Sequence, residues 1–437
     1  MEERKQNARS RDFLWNMAGS LIYALSSMVL AFFVMRVQGA EDGGIFGFGF
    51  STFGQQLFIV AYFGIRPFHI TDVKREYSFG EYRRLRCLSA AAAVLIAVLY
   101  LFVLFAAGMY SGHKAAVILL LAFYKICDGY GDVYESEFQR DGKLYLSGQL
   151  LSLRTIVCAG AFMAVLLFFH DLLLAALAAV ILQLLMLLLY RSAAGRNFPL
   201  GKESGALDYS RRREAVYGLF RRTLLLFLSV FLDFYVFSAA KYAVDFCMKD
   251  ADNGIFNILF MPTSVIYLVA NFIIRPFMTE LAAAYEKHDF EVFTARLFSL
   301  QKLILLLTAV AYALAMLLGG VVLGIGEMVL GEAYAGQLVP YKSAFANIIF
   351  GGGIYAMANL YYYILVILRR QRQIFYVYAA AAILAFIGAR LLVAGYGLYG
   401  AAMCYELLMA VLCAGFFVIG NRSIRQEAMK GGDGCAD

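Results

Sequence analysis

Twelve apolar runs, each close to the length that crosses a bilayer, follow one another along this chain and leave room for little else. A spanning helix takes ~20 mostly apolar residues. The runs cover residues 13 to 35, 45 to 65, 88 to 108, 115 to 137, 147 to 169, 172 to 190, 219 to 240, 254 to 276, 303 to 324, 343 to 367, 374 to 394 and 398 to 420. Together they account for ~240 residues out of 437, so no separate soluble domain is expected. Composition agrees, with 62% of residues hydrophobic and 16% charged against ~25% charged in soluble domains. A water-soluble enzyme is excluded, and no enzymatic activity is expected. The first run exceeds the ~7–15 residue core of a signal peptide and lacks its cleavage site, so it is expected to remain as the first helix.

Charge placement sets orientation. Of the 38 Lys and Arg, thirty-one fall in the N-terminal tail, in the loops after even-numbered runs and in the C-terminal tail. Six fall on the opposite side (Arg36, Lys114, Lys241, Lys249, Lys342 and Arg390), and Lys125 lies inside the fourth run. Cytoplasmic loops carry the excess of Lys and Arg, so both termini are expected in the cytoplasm. The same pattern explains the net charge of +7 without a nucleic-acid partner. The seven cysteines form no CxxC pair and fall mostly in apolar runs, so no disulfide or metal site is expected.

The chain also repeats itself. Gly44-Ile45-Phe46, leading to Ile65-Arg66-Pro67-Phe68, recurs as Gly254-Ile255-Phe256 leading to Ile274-Arg275-Pro276-Phe277, with offsets of 210 and 209. Ser78-Phe79 with Tyr82 is echoed by Asp289-Phe290 with Phe293, each opening on a residue suited to cap a helix. Six spans per copy make the two copies enter the membrane in the same sense, the parallel-repeat layout of many secondary transporters, with the substrate between the halves. The expected organisation is a six-helix lobe over 1–190, a cytoplasmic linker over 191–217 that contains Arg211-Arg212-Arg213, a second six-helix lobe over 218–420, and a cytoplasmic tail over 421–437.

Ionisable groups inside a membrane are costly and normally face a wet cavity or a partner. Asn16, Ser20, Tyr23 and Ser27 share one face of span 1; Ser51, Gln55, Tyr62 and Arg66 share one face of span 2; Asn257, Ser264, Asn271 and Arg275 share one of span 8. These faces predict a hydrated cleft; the alternative is hydrogen bonding between helices by small polar residues. Arg66 and Arg275 hold equivalent places, each before a proline that tends to end or kink a helix. They suit a phosphate or pyrophosphate clamp, or equally two interface anchors. Lys125, Asp128, Asp132 and Glu135 share a face of span 4, fit to line a cavity, to hold a coupling cation or to neutralise one another. Asp233, deep in span 7, is the best single candidate for ion coupling. Arg390 and Glu406 are expected to pair.

Other chemistry is poorly supported. Gly201-Lys202-Glu203 is not a phosphate-binding loop, and Asp250-Ala251-Asp252 is better read as a helix cap before span 8 than as a sugar-nucleotide motif. Tyr361-Tyr362-Tyr363 suits packing more than sugar stacking.

Gly39-Ala40-Glu41-Asp42-Gly43-Gly44-Ile45-Phe46, with Asn16 and Arg36 ahead of it and Gly397-Leu398-Tyr399-Gly400-Ala401-Ala402 before span 12, resembles the polysaccharide-biosynthesis branch of the multidrug/oligosaccharidyl-lipid/polysaccharide (MOP) exporter superfamily. The resemblance covers the whole chain. It implies an all-α, twelve-helix, MATE-like flippase fold in the bacterial inner membrane. The cargo it implies is an undecaprenyl-pyrophosphate-linked oligosaccharide for capsule, O-antigen or exopolysaccharide, moved outward by alternating access. Arg66, Arg275, Lys125, Asn16, Ser20, Gln55, Asn257 and Asn271 are then the candidate cargo-binding residues, and Asp233, Asp128 and Asp132 the candidate ion-coupling residues. Na+ or H+ would be the coupling ion, no cofactor is required, and membrane lipids, a polysaccharide polymerase and glycosyltransferases are the implied partners. The alternatives are a multidrug or cation antiporter of the same fold, a lipid II flippase and a membrane-embedded glycosyltransferase. Against the lipid II reading, the polar face of span 1 carries no cation.

Overall fold

The structure is a computed structural model that describes residues 2–72, 74–197 and 209–433. Every regular element among these is helical, as expected where backbone groups in hydrocarbon must be satisfied within one segment. In chain order the helices are α1 (Glu2–Gln38), α2 (Ala40–Phe46), a π-helical turn (Gly47–Phe53), α3 (Gly54–Tyr62), α4 (Arg66–Thr71), α5 (Phe79–Ala106), α6 (Gly112–Arg140), α7 (Leu144–Phe169) and α8 (Leu172–Asn197). They continue as α9 (Tyr209–Cys247), α10 (Asp250–Phe260), α11 (Pro262–Glu286), α12 (Phe290–Leu330), α13 (Lys342–Ile367) and α14 (Gln371–Asp433).

Nine stretches among the described residues are long and apolar enough to cross a membrane. One of them, α14, is two helices meeting at Gly397, whose φ of 59° interrupts the helical backbone. Two further runs escape a purely apolar criterion: α6 carries too many charges, and span 8 is divided into α10 and α11 at Met261-Pro262. The twelve apolar runs therefore each have a helical counterpart. Large apolar side chains stand exposed on the outside of these helices, among them Phe102 on α5 at 64% and Leu317 on α12 at 74%. Water would not tolerate so much contiguous apolar surface, and the chain is a multi-pass membrane protein.

The chain divides into two compact units, Met1–Phe231 and Leu232–Asp437. The division falls inside α9, downstream of the loop between spans 6 and 7. In the first unit α6 is the hub, packing against α3, α4, α5, α7 and α8, while α1 lies along α7. That last contact is close because Gly19 and Gly148 face each other; a Cβ on Gly19 would sit 2.6 Å from the Gly148 carbonyl oxygen. In the second unit α13 is the hub, packing against α10, α11, α12 and α14. It too relies on glycine. A Cβ on Gly351 would lie 2.9 Å from the Tyr405 ring, and one on Gly353 would run into the Thr308 side chain. The hubs are the fourth span of each sequence copy.

Expected capping is present. Ser78 accepts from the Glu81 amide at 3.3 Å, and the Glu81 carboxylate accepts from the Ser78 amide at 2.8 Å, which closes a capping box at the start of α5. Asp289 accepts from the Val292 amide at 3.0 Å and starts α12. Asp252 accepts from the Lys249 amide at 3.2 Å and caps α10, so the Asp250–Asp252 pair has the structural role foreseen for it. The prolines behave unequally. Phe63 and Gly64 adopt positive φ values of 53° and 62°, ending α3 and letting Arg66-Pro67 begin α4. The backbone of α11 instead runs on through Arg275-Pro276, so the expected break is absent there and lies at Met261-Pro262.

Candidate functional site

Charged side chains are concentrated in the interior of the first unit. Asp128, Asp132, Glu135 and Gln139 recur at spacings of four, three and four along α6, which aligns them on one face. Three arginines from three other helices meet that face. Arg154 of α7 pairs with Asp128 at 2.5 Å and with Glu135 at 3.5 Å. Arg86 of α5 pairs with Asp132 at 2.5 Å and also donates to the carbonyls of Tyr62 and of Gly129. Arg66, at the start of α4, pairs with Asp132 at 2.5 Å and Glu135 at 3.6 Å, and donates to Gln139 at 3.0 Å. Neutral partners complete the carboxylate shells: Tyr23 and Gln183 donate to Asp128 at 2.6 and 3.3 Å, Tyr190 donates to Glu135 at 3.1 Å, and Ser136 donates to Asp132 at 3.2 Å.

Three carboxylates thus face three guanidiniums, and the network is close to neutral. Burial of such a cluster gains little net stability, but removing one partner strands a charge and costs about 3–5 kcal/mol. Lys125 is the surplus cation. Its ammonium donates to the Tyr23 hydroxyl at 3.3 Å and lies 4.0 Å from the centre of the Phe50 ring, a cation–π contact that suits a cation without a carboxylate. A second cluster continues toward the loop side of α6, where Glu137 binds His69 at 2.7 Å and Arg140 at 2.7 Å.

The second unit has no comparable network among its described residues. Asp233, half-buried on α9, accepts from the Tyr355 hydroxyl of α13 at 3.0 and 3.1 Å, and Tyr378 of α14 also hydrogen-bonds to it. No Lys, Arg or His among the described residues forms an ion pair with it. Two turns further on, Lys241 is buried and has no ion-pair partner among the described residues, its ammonium 4.5 Å from the centre of the Phe260 ring. Asn257 is buried and donates to the Asn253 carbonyl at 2.9 Å, while its own Oδ1 has no partner among the described residues.

Of the predicted residues, the structure brings Arg66, Lys125, Asp128 and Asp132 into one neighbourhood. Asn16 and Gln55 are half-buried and Ser20 is exposed. The deeper glutamine is Gln56, which donates to the Phe231 carbonyl at 3.0 Å. The side chains of Asn271 and Arg275 lie outside the described residues, as does the middle of the 191–217 linker, over 198–208. Two corrections follow. Arg390 does not pair with Glu406; its guanidinium lies 4.1 Å from the centre of the Phe246 ring. Arg86 and Arg154, counted among loop cations from sequence, are buried inside α5 and α7. The signal that could have found them is the acidic face of α6, which demands countercharge from neighbouring helices.

No family model matches the sequence, and no curated relative does. Solved structures do. A multidrug resistance MATE family transporter of the MOP superfamily, in an inward-facing conformation, superposes with a TM-score of 0.67 at 11% identity, over 92% of this chain and 95% of that one. A Vibrio cholerae MATE transporter in mutant form gives 0.55 at 13% identity, over 96% and 98%. A Pyrococcus furiosus MOP superfamily transporter, described as having a binding pocket of reversed polarity, gives 0.54 at 15% identity, over 96% of each chain. At such identities the likeness is one of architecture, and on that basis this chain has the fold of the MATE transporters of the MOP superfamily.

Proposed function

We propose that this protein is a flippase that moves an undecaprenyl-pyrophosphate-linked oligosaccharide outward across the bacterial inner membrane by alternating access, with both termini in the cytoplasm. The reading is supported by a MATE-like fold together with glycine-rich segments that resemble motifs of the polysaccharide-export branch. The two sequence copies supply the two halves that such a cycle needs. The cargo's difficulty is its charge, because moving a pyrophosphate through hydrocarbon is prohibitive unless cations and water accompany it.

Arg66 is the cation most able to respond. Its side chain keeps 26% of its area exposed although it is ion-paired, so a pyrophosphate can compete with Asp132 for a planar, bidentate donor. Arg275 supplies the charge at the equivalent place in the second sequence copy, and Lys125 a further cation beside Tyr23. Asn16, Ser20, Gln55, Asn257 and Asn271 offer hydrogen bonds to sugar hydroxyls. Asp233 carries the coupling ion, Na+ or H+, because its carboxylate is held by tyrosine hydroxyls with no competing cation among the described residues. Asp128 and Asp132, already engaged by guanidiniums, are secondary candidates for that role. The polymerase and glycosyltransferases that make and use the cargo are the partners this implies.

The second reading is a multidrug antiporter. It is favoured by the multidrug transporter among the structural neighbours and by Asp233, an acid that a cationic drug could exchange with a proton. The two separate in one experiment. Proteoliposomes containing the protein are loaded with a fluorescent undecaprenyl-pyrophosphate oligosaccharide, and movement between leaflets is followed under Na+ and H+ gradients, beside efflux of a cationic dye. The flippase reading requires gradient-dependent translocation of the glycolipid; dye efflux without glycolipid movement overturns it in favour of the antiporter.

A further inference from the structure

A groove of about 740 Å³ runs between α5 and the first part of α9, wholly within the first unit. That volume falls in the range of ~300–1,000 Å³ typical of small-molecule sites. Its walls are Phe63, Leu88, Ala92 and Phe220, with Arg84 and Arg213 at one end. From Arg84 to Ala92 the α-helical rise gives ~12 Å of apolar wall below the cation. The groove opens outward, since Leu88 is 62% exposed on a helix whose exposed face is apolar.

Its two arginines differ from others in the same unit. Arg66, Arg86, Arg140, Arg154 and Arg222 each form an ion pair with a carboxylate. Arg84 and Arg213 are exposed and pair with no carboxylate among the described residues. Both lie near the first turns of their helices, on the side that the Lys and Arg distribution assigns to the cytoplasm, where the leaflet is anionic. Of the other polar wall groups, Ser89 is already satisfied by donating to the Ala61 carbonyl at 2.7 Å, while Tyr217 and Cys87 are exposed. A second groove, among α11, α12 and α13, is lined by apolar side chains and one threonine and has no charge to specify an occupant.

We infer that the α5–α9 groove is a binding site for an anionic glycerophospholipid, whose phosphate is held between Arg84 and Arg213 while an acyl chain lies along Leu88 and Phe220. The site is independent of the cargo, and its occupancy would tie the start of α9 to α5. The test is native mass spectrometry of the purified full-length protein titrated with phosphatidylglycerol and with phosphatidylcholine. The wild type should retain phosphatidylglycerol preferentially. Arg84→Ala combined with Arg213→Ala should weaken that retention roughly thirty-fold, the contribution of two cations at an anionic surface, and leave phosphatidylcholine unchanged. The double lysine variant should keep most of the preference, and Arg372→Ala with Arg425→Ala, outside the groove, should not alter it. Equal retention of the two lipids by the wild type, or undiminished phosphatidylglycerol binding by the double alanine variant, overturns the inference. So does displacement of phosphatidylglycerol by equimolar undecaprenyl phosphate, which would make the groove a resting place for the cargo's tail.

Discussion

The hubs of the two units, α6 and α13, occupy the same place in the repeat and are built on opposite principles. α6 buries acids and recruits arginines from α4, α5 and α7. α13 has no ionisable acid or base in its interior other than tyrosine, and meets its neighbours through Gly351, Gly352 and Gly353 and through aromatic rings. The hub of the first unit must have its buried acids neutralised by its neighbours, whereas the hub of the second meets its neighbours without ionic pairing. The contrast shows where ionisable groups remain available. In the first unit the carboxylates of α6 are spoken for by guanidiniums, whereas in the second Asp233 and Lys241 stand without ionic partners among the described residues.

Substitutions can break this comparison. The largest effect is expected at Arg154, where replacement by Met strands Asp128, leaves Glu135 with Arg66 as its cation and should cost about 3–5 kcal/mol, read as a steep fall in monodisperse protein on fluorescence-detected gel filtration after heating. Adding Asp128→Asn should recover part of that loss, and a strictly additive cycle would show that the two groups are not coupled. In the second unit the sensitive positions should be glycines instead. Gly353→Val forces α12 away from α13 and should cost about 1–3 kcal/mol through overpacking, measured as a lowered Tm in detergent. A neutral outcome there would mean that the close approach is not limiting.

Smaller effects sharpen the contrast. Lys241→Met removes a buried charge that has no ionic partner among the described residues and keeps the apolar stem, so Tm should stay level or rise by an amount corresponding to about 1 kcal/mol. A marked drop would reveal an ionic partner. Least consequential is Arg222→Ala. Its partner Glu76 is 3.1 Å away, but both side chains are 59% exposed, and screened surface pairs of this kind contribute about 0–1 kcal/mol. Melting in low and high salt should show no difference between this variant and the wild type.

The helical layout was legible in the sequence because hydrocarbon leaves a chain few options: apolar length fixes each helix, and Ser78 and Asp289 announce two starts. Gly44-Ile45-Phe46 and its echo pointed to a repeat, while the structure divides the chain at Phe231–Leu232 inside α9. What escaped was pairing across helices. Spacing reveals that Asp128, Asp132 and Glu135 share a face, but not that α5 and α7 turn Arg86 and Arg154 toward it. Tallying Lys and Arg by loop hid both, since a buried arginine near a helix end counts the same as a solvated one. The Arg390–Glu406 pairing failed for a related reason, as an aromatic ring satisfied the cation first. Proline was also ambiguous: Pro67 begins a new helix after the left-handed turn at Phe63-Gly64, whereas α11 absorbs Pro276 and breaks earlier.

The availability of Asp233 is the feature on which the proposed transport cycle turns. The most direct test is glycolipid translocation by Asp233→Asn in proteoliposomes, measured with and without an imposed Na+ or H+ gradient and normalised to correctly folded protein. The account predicts that the variant keeps the wild-type Tm within the equivalent of about 1 kcal/mol and moves the glycolipid at one slow rate whatever the gradient. Gradient-accelerated translocation indistinguishable from that of the wild type would contradict it.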